Sequence, residues 1–306
     1  MTQSIFLKLY LFLGITWMLS SSCLAQALDS LPMVNPKRMN ALIGFSSVAY
    51  GGSMIGLGTI WYDNLSSFRF FNDNDGWGYM DKLGHVTSAQ HIGRAGIAAL
   101  RWTGLEEKKA VWIGGSTGLV YLTSVEVFDG FSPDWGFSWG DFASNTIGSA
   151  LLIFQELQWS EQRILTKWSY GGSTYAQYRP ELLGANGTER WLKDYNGQTY
   201  WLSFDIRSLL LKNSNFPAWL NFAVGYGIEG YTGANRNPET NDQGEAIPDF
   251  KRYAQVYFAP DINFEKIPTD SRFLQTLLGI LNFLKAPLPA VEYNEVDGMK
   301  FHWIFF

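Results

Sequence analysis

Residues 39–62 carry no charged side chain over 24 positions, long enough to cross a bilayer core as a helix. Glycines at 44, 51, 52, 56 and 58 weaken an isolated helix there, yet they permit close approach of a neighbouring helix. The same pattern suits a buried core helix or a glycine-rich hairpin. After a polar loop at 72–78, a second helix is predicted from Asp81 to about Trp102, because a carboxylate is favoured at a helix N-terminus. Residues 110–125 form another uncharged run, ending at Glu126. A fourth helix is predicted over 141–159, where Ala143, Ile147, Ala150, Leu151 and Phe154 fall near helical spacing. Four apolar segments with modest connections describe a helical bundle.

Beyond about residue 165 the period shortens to two. Over 199–207, Tyr200, Leu202, Phe204 and Ile206 share one face, and Thr199, Ser203, Asp205 and Arg207 the other. Over 219–231, Leu220, Phe222, Val224, Tyr226 and Ile228 oppose Asn221, Gly225, Gly227 and Glu229. Residues 252–263 and 300–306 are further strands, each near the roughly 9–11 residues of a tilted transmembrane strand. Residues 235–244 form a polar loop between two of them, and 271–284 read as an amphipathic helix interrupting the strands. The aromatic end Phe301-His-Trp-Ile-Phe-Phe306 resembles the assembly signal of bacterial outer-membrane barrels, and suits a periplasmic sheet as well. The predicted class is α+β: an apolar helical module at 39–160, then an antiparallel β region at 165–306. That β region is either a partial sheet or a complete outer-membrane-type barrel; closed barrels start at about eight strands, and only four or five are legible.

Composition narrows the setting. Charged residues make up 17% and aromatics 16%, a balance that suits a membrane-associated protein better than a cytosolic enzyme. The net charge of -5, with no Lys/Arg cluster, argues against nucleic acid as a partner, and membrane or envelope lipid is the expected one. The first 25 residues read as a Sec-type signal peptide: Lys8 as the positive region, 9–19 as the apolar region, and Cys23-Leu-Ala25 before the cut. The alternative is a loose lipobox, Leu19-Ser-Ser-Ser-Cys23, that lipidates Cys23. Either way the mature chain has no spare thiol for a disulfide, a Cys-based zinc site or a Cys nucleophile. The expected location is the outer membrane or the periplasm.

Within this apolar sequence stands a polar constellation: Asp81 and His85, Glu126 and Asp129, then Asp141 and Asn145 with Gly148 beyond. Each pair has helical spacing, which suggests that the three segments meet. Ionisable groups in apolar helices need partners, a metal or a task. One reading is a structural polar network. The other is a site in which His85 is the general acid or base and Asp81, Glu126, Asp129 or Asp141 orients it or holds a cation. With one His and no Cys the set fits zinc poorly, so no cofactor is assigned. The alternative is a hard divalent cation such as calcium or magnesium. His91 falls on another face, His302 reads as structural, and 73–76 read as a turn rather than a calcium loop.

The motifs Asp81-Lys82-x-x-His85, Glu126-x-x-Asp129 and Trp135-Gly-Phe-Ser-x-x-Asp141-x-x-x-Asn145-x-x-Gly148 resemble the DUF2279, or YfiM-like, family of predicted periplasmic lipoproteins. The same order looks, more loosely, like the four-helix VanZ-like membrane proteins. The resemblance implies an envelope location, a compact helical module and these polar residues as its signature, with no reaction attached. The function expected is that of a non-enzymatic envelope protein with a structural or interaction role. The alternative is an envelope hydrolase or transferase acting on lipid or glycan through His85.

Overall fold

The computed structural model describes residues 34–61, 65–133, 135–212 and 214–306. The predicted signal peptide, Cys23 and Asp134 lie outside them. The described residues divide into two compact units: those from 34 to 72 with 89–157, and 73–88 with 158–306.

The first unit is helical. It comprises α1 (Pro36–Trp61), most of α2 (Met80–Thr103), α3 (Glu107–Gly115), α4 (Thr117–Gly130) and α5 (Trp139–Trp159). Among the described residues of this unit, five helices therefore stand where four were predicted. The uncharged run after Ala110 is broken at Ser116, whose backbone N–H turns back to Trp112 and Gly114 instead of continuing one rod. Two stretches, Pro36–Thr59 and Glu107–Gly130, are long and apolar enough to cross a membrane by length and composition. The α1 helix is anchored at its start by Met39 against Leu100, Leu105 and Ala110, and further on by Met54 against Phe128, while Phe45, Val48 and Ile55 stay exposed. The centre of the unit joins Ile97, Val111, Leu152 and Ile153.

Backbone contact between helices makes that centre tight. A Cβ built on Gly118 of α4 would lie 2.1 Å from the Ala89 carbonyl oxygen of α2. Gly118→Ala gains at most about 1 kcal/mol of helix propensity. Separating two packed backbones costs about 1–3 kcal/mol or more, so steric overlap wins. Thermal melts should show Gly118→Ala less stable than wild type. Gly44→Ala on α1 meets nothing within 4 Å and should melt at or above it. Equal melting of the two variants would refute this packing.

The second unit is built on a six-stranded antiparallel sheet whose strand order is the chain order. Its strands are β3 (Ile164–Tyr170), β4 (Gln198–Phe204), β5 (Leu220–Glu229), β6 (Tyr253–Ile262), β7 (Leu288–Asn294) and β8 (Gly298–Phe305). (The short β1, Phe70–Phe71, and β2, Phe137–Ser138, pair in parallel within the helical unit.) The sheet is open among the described residues, with β3 and β8 as its edges, so a complete barrel is not what forms. One parallel bridge covers part of the β3 edge, where Trp168 exchanges two backbone hydrogen bonds of 2.9 Å with Phe283 and Lys285. Two short helices, α6 (Pro180–Leu183) and α7 (Gly187–Lys193), lie between β3 and β4. The strand predicted to reach Arg207 ends at Phe204, because Asp205 caps a short helix, α8 (Ile206–Leu210), by accepting from the Ser208 N–H. The amphipathic segment after residue 271 is a helix, α9 (Arg272–Leu281), capped by Ser271.

Polarity across this sheet is inverted relative to a soluble one. On β4, Thr199, Trp201 and Ser203 are buried while Leu202 is exposed; on β5, Asn221, Ala223 and Gly225 are buried while Phe222 is exposed. Gln255 and Asp261 on β6 and Glu292 and Asn294 on β7 also point inward, whereas Phe258 and Tyr293 point out. The inward groups meet one another. Trp201 packs with Tyr257 and Phe305, and its ring N–H donates to Ser169 Oγ at 2.9 Å. To one side, Lys167 Nζ lies 2.9 Å from Asp261, both side chains fully buried, and Ser203 Oγ donates to the same carboxylate. To the other, Gln255 Nε2 donates to both Glu229 and Glu292, and His302 Nε2 sits 2.7 Å from Glu292. The buried Lys167, Asp261, Ser203, Gln255 and Glu292, with the half-buried His302, are thus one another's partners.

Candidate functional site

Asp81 opens α2 out of an unusual turn. Trp77 (φ 51°) and Tyr79 (φ 68°) both occupy the left-handed region that side chains other than glycine rarely adopt. Such conformations persist where surrounding contacts hold them and cluster at functional sites. Here the Trp77 N–H donates to the Ala234 carbonyl, the Tyr226 hydroxyl donates to the Gly78 carbonyl at 2.9 Å, and the Trp77 ring packs on Tyr195.

The turn delivers Asp81 into a set of polar partners within the sheet-bearing unit. Tyr195 Oη donates to Asp81 Oδ1 at 3.0 Å, and His85 Nε2 lies 3.8 Å from the same oxygen, one helical turn on. Lys82 Nζ bridges Asp81 Oδ2 at 3.1 Å and Asp73 Oδ1 at 2.7 Å. Burial alone would raise the Asp81 carboxyl; His85 and Lys82, with the hydrogen bonds from Lys82 and Tyr195, outweigh it and hold the group below the usual carboxylate range. Asp81 is therefore an anion at neutral pH with both oxygens engaged. A cation bound there would have to compete with the Lys82 ammonium. Asp73, within the segment compared above with a calcium loop, is tied to Lys82, and its carbonyl closes the turn to Gly76. Gly84 lets α2 approach β4: a Cβ there would stand 2.9 Å from Tyr200 Oη.

The remaining constellation lies in the helical unit. Glu126, on α4, is 1% exposed, and its Oε2 accepts from the Ser138 N–H at 3.1 Å. Ser138 Oγ in turn accepts from the Asp141 N–H at 3.1 Å. The aromatic loop before α5 is thus an ordered segment that fixes the start of that helix, with Phe137 packed against Phe68, Phe70 and Trp139. Asp141 and Asn145 are buried on the first turns of α5, and Asp129 is half-buried near the end of α4. The spacing of Asp81 with His85 was readable in advance. Tyr195, 114 residues away, and Tyr200 were not, since nothing local marks them as partners of α2. His91 contacts Arg94 at 3.5 Å, and His302 belongs to the Glu292 group on the sheet.

Neither a curated protein nor a solved structure matches the chain. Residues 69–156, from the residue before β1 to near the end of α5, match the model of a family described as predicted periplasmic lipoprotein (DUF2279). The match takes in Asp81, His85, Glu126, Asp129, Asp141 and Asn145, and what the chain is similar to over that stretch is a cell-envelope protein of unknown activity.

Proposed function

We propose that the chain is a non-enzymatic protein of the cell envelope, held in or against the outer membrane by lipid on the outward face of its sheet. The observation that carries this reading is the inverted polarity of β4 to β8. In water a sheet buries its apolar side and solvates the polar one. Here lysine, aspartate, glutamate and asparagine turn inward, and leucine, phenylalanine, valine and tyrosine turn out. Polar-in and apolar-out alternation is what a hydrocarbon solvent selects. The exposed apolar patch lies at one end of this face: Leu202, Phe222, Phe258 and Pro260 are open there, while Ile228 of the same β5 row is buried and Tyr226 donates to the Gly78 carbonyl. Trp303 on β8 is 79% exposed, with Met299 and Phe301 beside it. The Asp81 group supports a structural rather than catalytic part for the polar residues, since Lys82 and Tyr195 tie it to the surrounding chain.

The test is Phe258→Arg, at an outward position of β6 that is 44% exposed. On a water-facing surface such a change costs within about 0.5 kcal/mol. At the midplane of a bilayer it costs about 2–4 kcal/mol. The full-length wild type should float with vesicles of phosphatidylethanolamine and phosphatidylglycerol, and Phe258→Arg should stay at the bottom of the gradient with its circular dichroism unchanged in detergent. A wild type that stays monodisperse without detergent and ignores vesicles would overturn the reading.

A further inference from the structure

We infer that α9, with residues 210–212 and 214–219, forms a foot lying in the headgroup boundary of the same bilayer; this rests on the lipid-facing reading of the sheet.

The two ends of the sheet differ. At one end the strands are joined by polar loops, and residues 235–245 are almost wholly polar or charged. At the other end, where β4 and β6 finish and β5 begins, the connections are apolar and exposed. Phe273 is 74% exposed, Ile280 64% and Leu210 76%, and none of the residues of α9 is buried. Its apolar side chains Phe273, Leu274, Leu277, Ile280 and Leu281 recur at three- and four-residue spacing, so they share one side of the helix, with Arg272, Gln275 and Thr276 off it. A ten-residue helix with a bare apolar stripe is not stable in water through propensity alone. It needs a cover.

The C-terminal end of α9 is pinned to the rim of the sheet, and the chain leading into the helix is tied down at Lys266. Asn282, fully buried, accepts from the Phe264 N–H at 2.9 Å and donates to Asn263 Oδ1 at 3.1 Å. Lys266 in turn pairs with Asp205 and Glu161, joining this connection to the start of α8 and the end of α5's connection into β3. The stripe is therefore displayed at a fixed height rather than trailing. That height is where the outward row Phe204, Phe222 and Pro260 ends, with Trp219 at the foot of β5. An apolar band that ends in a tryptophan and a one-sided apolar helix matches the layering of a bilayer: acyl chains, then an interface that favours indole rings and amphipathic helices lying in its plane. A protein partner for the stripe alone would leave that continuity without a cause.

The experiment places an environment-sensitive NBD label at Ile280→Cys or, separately, Phe258→Cys in full-length protein carrying Cys23→Ser, bound to the same vesicles containing shallow or deep doxyl quenchers. The expected result is deep quenching at 258, and at 280 quenching about twofold stronger from the shallow quencher than from the deep one. If 258 is quenched and 280 responds to neither quencher, the foot is in water and the inference falls while the sheet reading stands. If neither position responds, both fall. If the signal at 280 instead follows protein concentration without lipid, a second copy covers the helix, and that also overturns the inference. Detergent melting curves that match the wild type confirm that each labelled variant is folded.

Discussion

Asp261→Asn should lower the unfolding free energy by about 3–5 kcal/mol, the cost of leaving a buried charge without its partner. Lys167 Nζ lies 2.9 Å from this carboxylate with both side chains at 0% exposure, and Lys285 Nζ stands 3.9 Å away on its other oxygen. One anion thus serves two buried cations. Asparagine preserves size and much of the hydrogen bonding to Ser203 Oγ and the Ala286 N–H, so the loss reports the charge. Lys167→Met should be much milder, because it leaves Asp261 facing Lys285 with no surplus charge. Denaturant unfolding in matched detergent checks both, and the ranking decides: a Lys167→Met variant less stable than Asp261→Asn would mean that the charge count is not what governs this core.

The second large effect is on pH. Burial pushes the Lys285 ammonium down to about 8, with Asp261 opposing the shift and Lys167 adding to it. The folded state therefore holds this proton less tightly than the unfolded chain, whose lysine titrates near 10.5. The penalty is complete below pH 8, shrinks as pH rises through 8, and is gone by about 10.5. Across the whole window the relief is roughly 3 kcal/mol, and between pH 8 and 9.5 about 2 kcal/mol. Tyrosines begin to titrate above that range, so the comparison stops at 9.5. The wild type should gain stability relative to Lys285→Met over this interval. A constant difference between the two would show that Lys285 holds its proton as it would in water, and that the surplus cation is solvated.

The alternation at 199–207 and 219–231 was legible because each face is chemically uniform over several residues. Period two does not say which face is inside. That came from burial, and it placed Asn221, Ser203 and Asp261 in the core. Two strands escaped the sequence for the same reason. β3 carries Lys167 in its middle and β7 carries Glu292, residues that read as solvent-facing breaks until the inward pairings with Asp261, Gln255 and His302 are seen. Pro289 further disguised β7, where a bulge separates Leu288 from Ala290 at the outer edge of the ladder. The helical module was easier. Asp81 and Asp141 stand in the first turns of α2 and α5, whereas Glu126 lies inside α4, which runs on to Gly130. The break at Ser116 sits among Gly114, Gly115 and Gly118, which a count of uncharged positions passes over. In the candidate site, Asp81 and His85 are one turn apart on one helix and so are local. Tyr195 and Tyr200 reach them through the tertiary fold, which composition and spacing do not encode.

The order of strands in the sheet has a bearing on how the protein is made. Each of β4 to β8 pairs with the strand that precedes it in the chain. No strand has to wait for a distant segment or thread between two already joined, and loop-closure entropy is spent in small instalments. A chain that emerges from a translocation pore with its N-terminus leading can then zip the sheet up hairpin by hairpin. The β7–β8 hairpin then brings the His302 ring to a Glu292 already held by Gln255, so β8 both extends the ladder and adds a partner to a buried acid beside it.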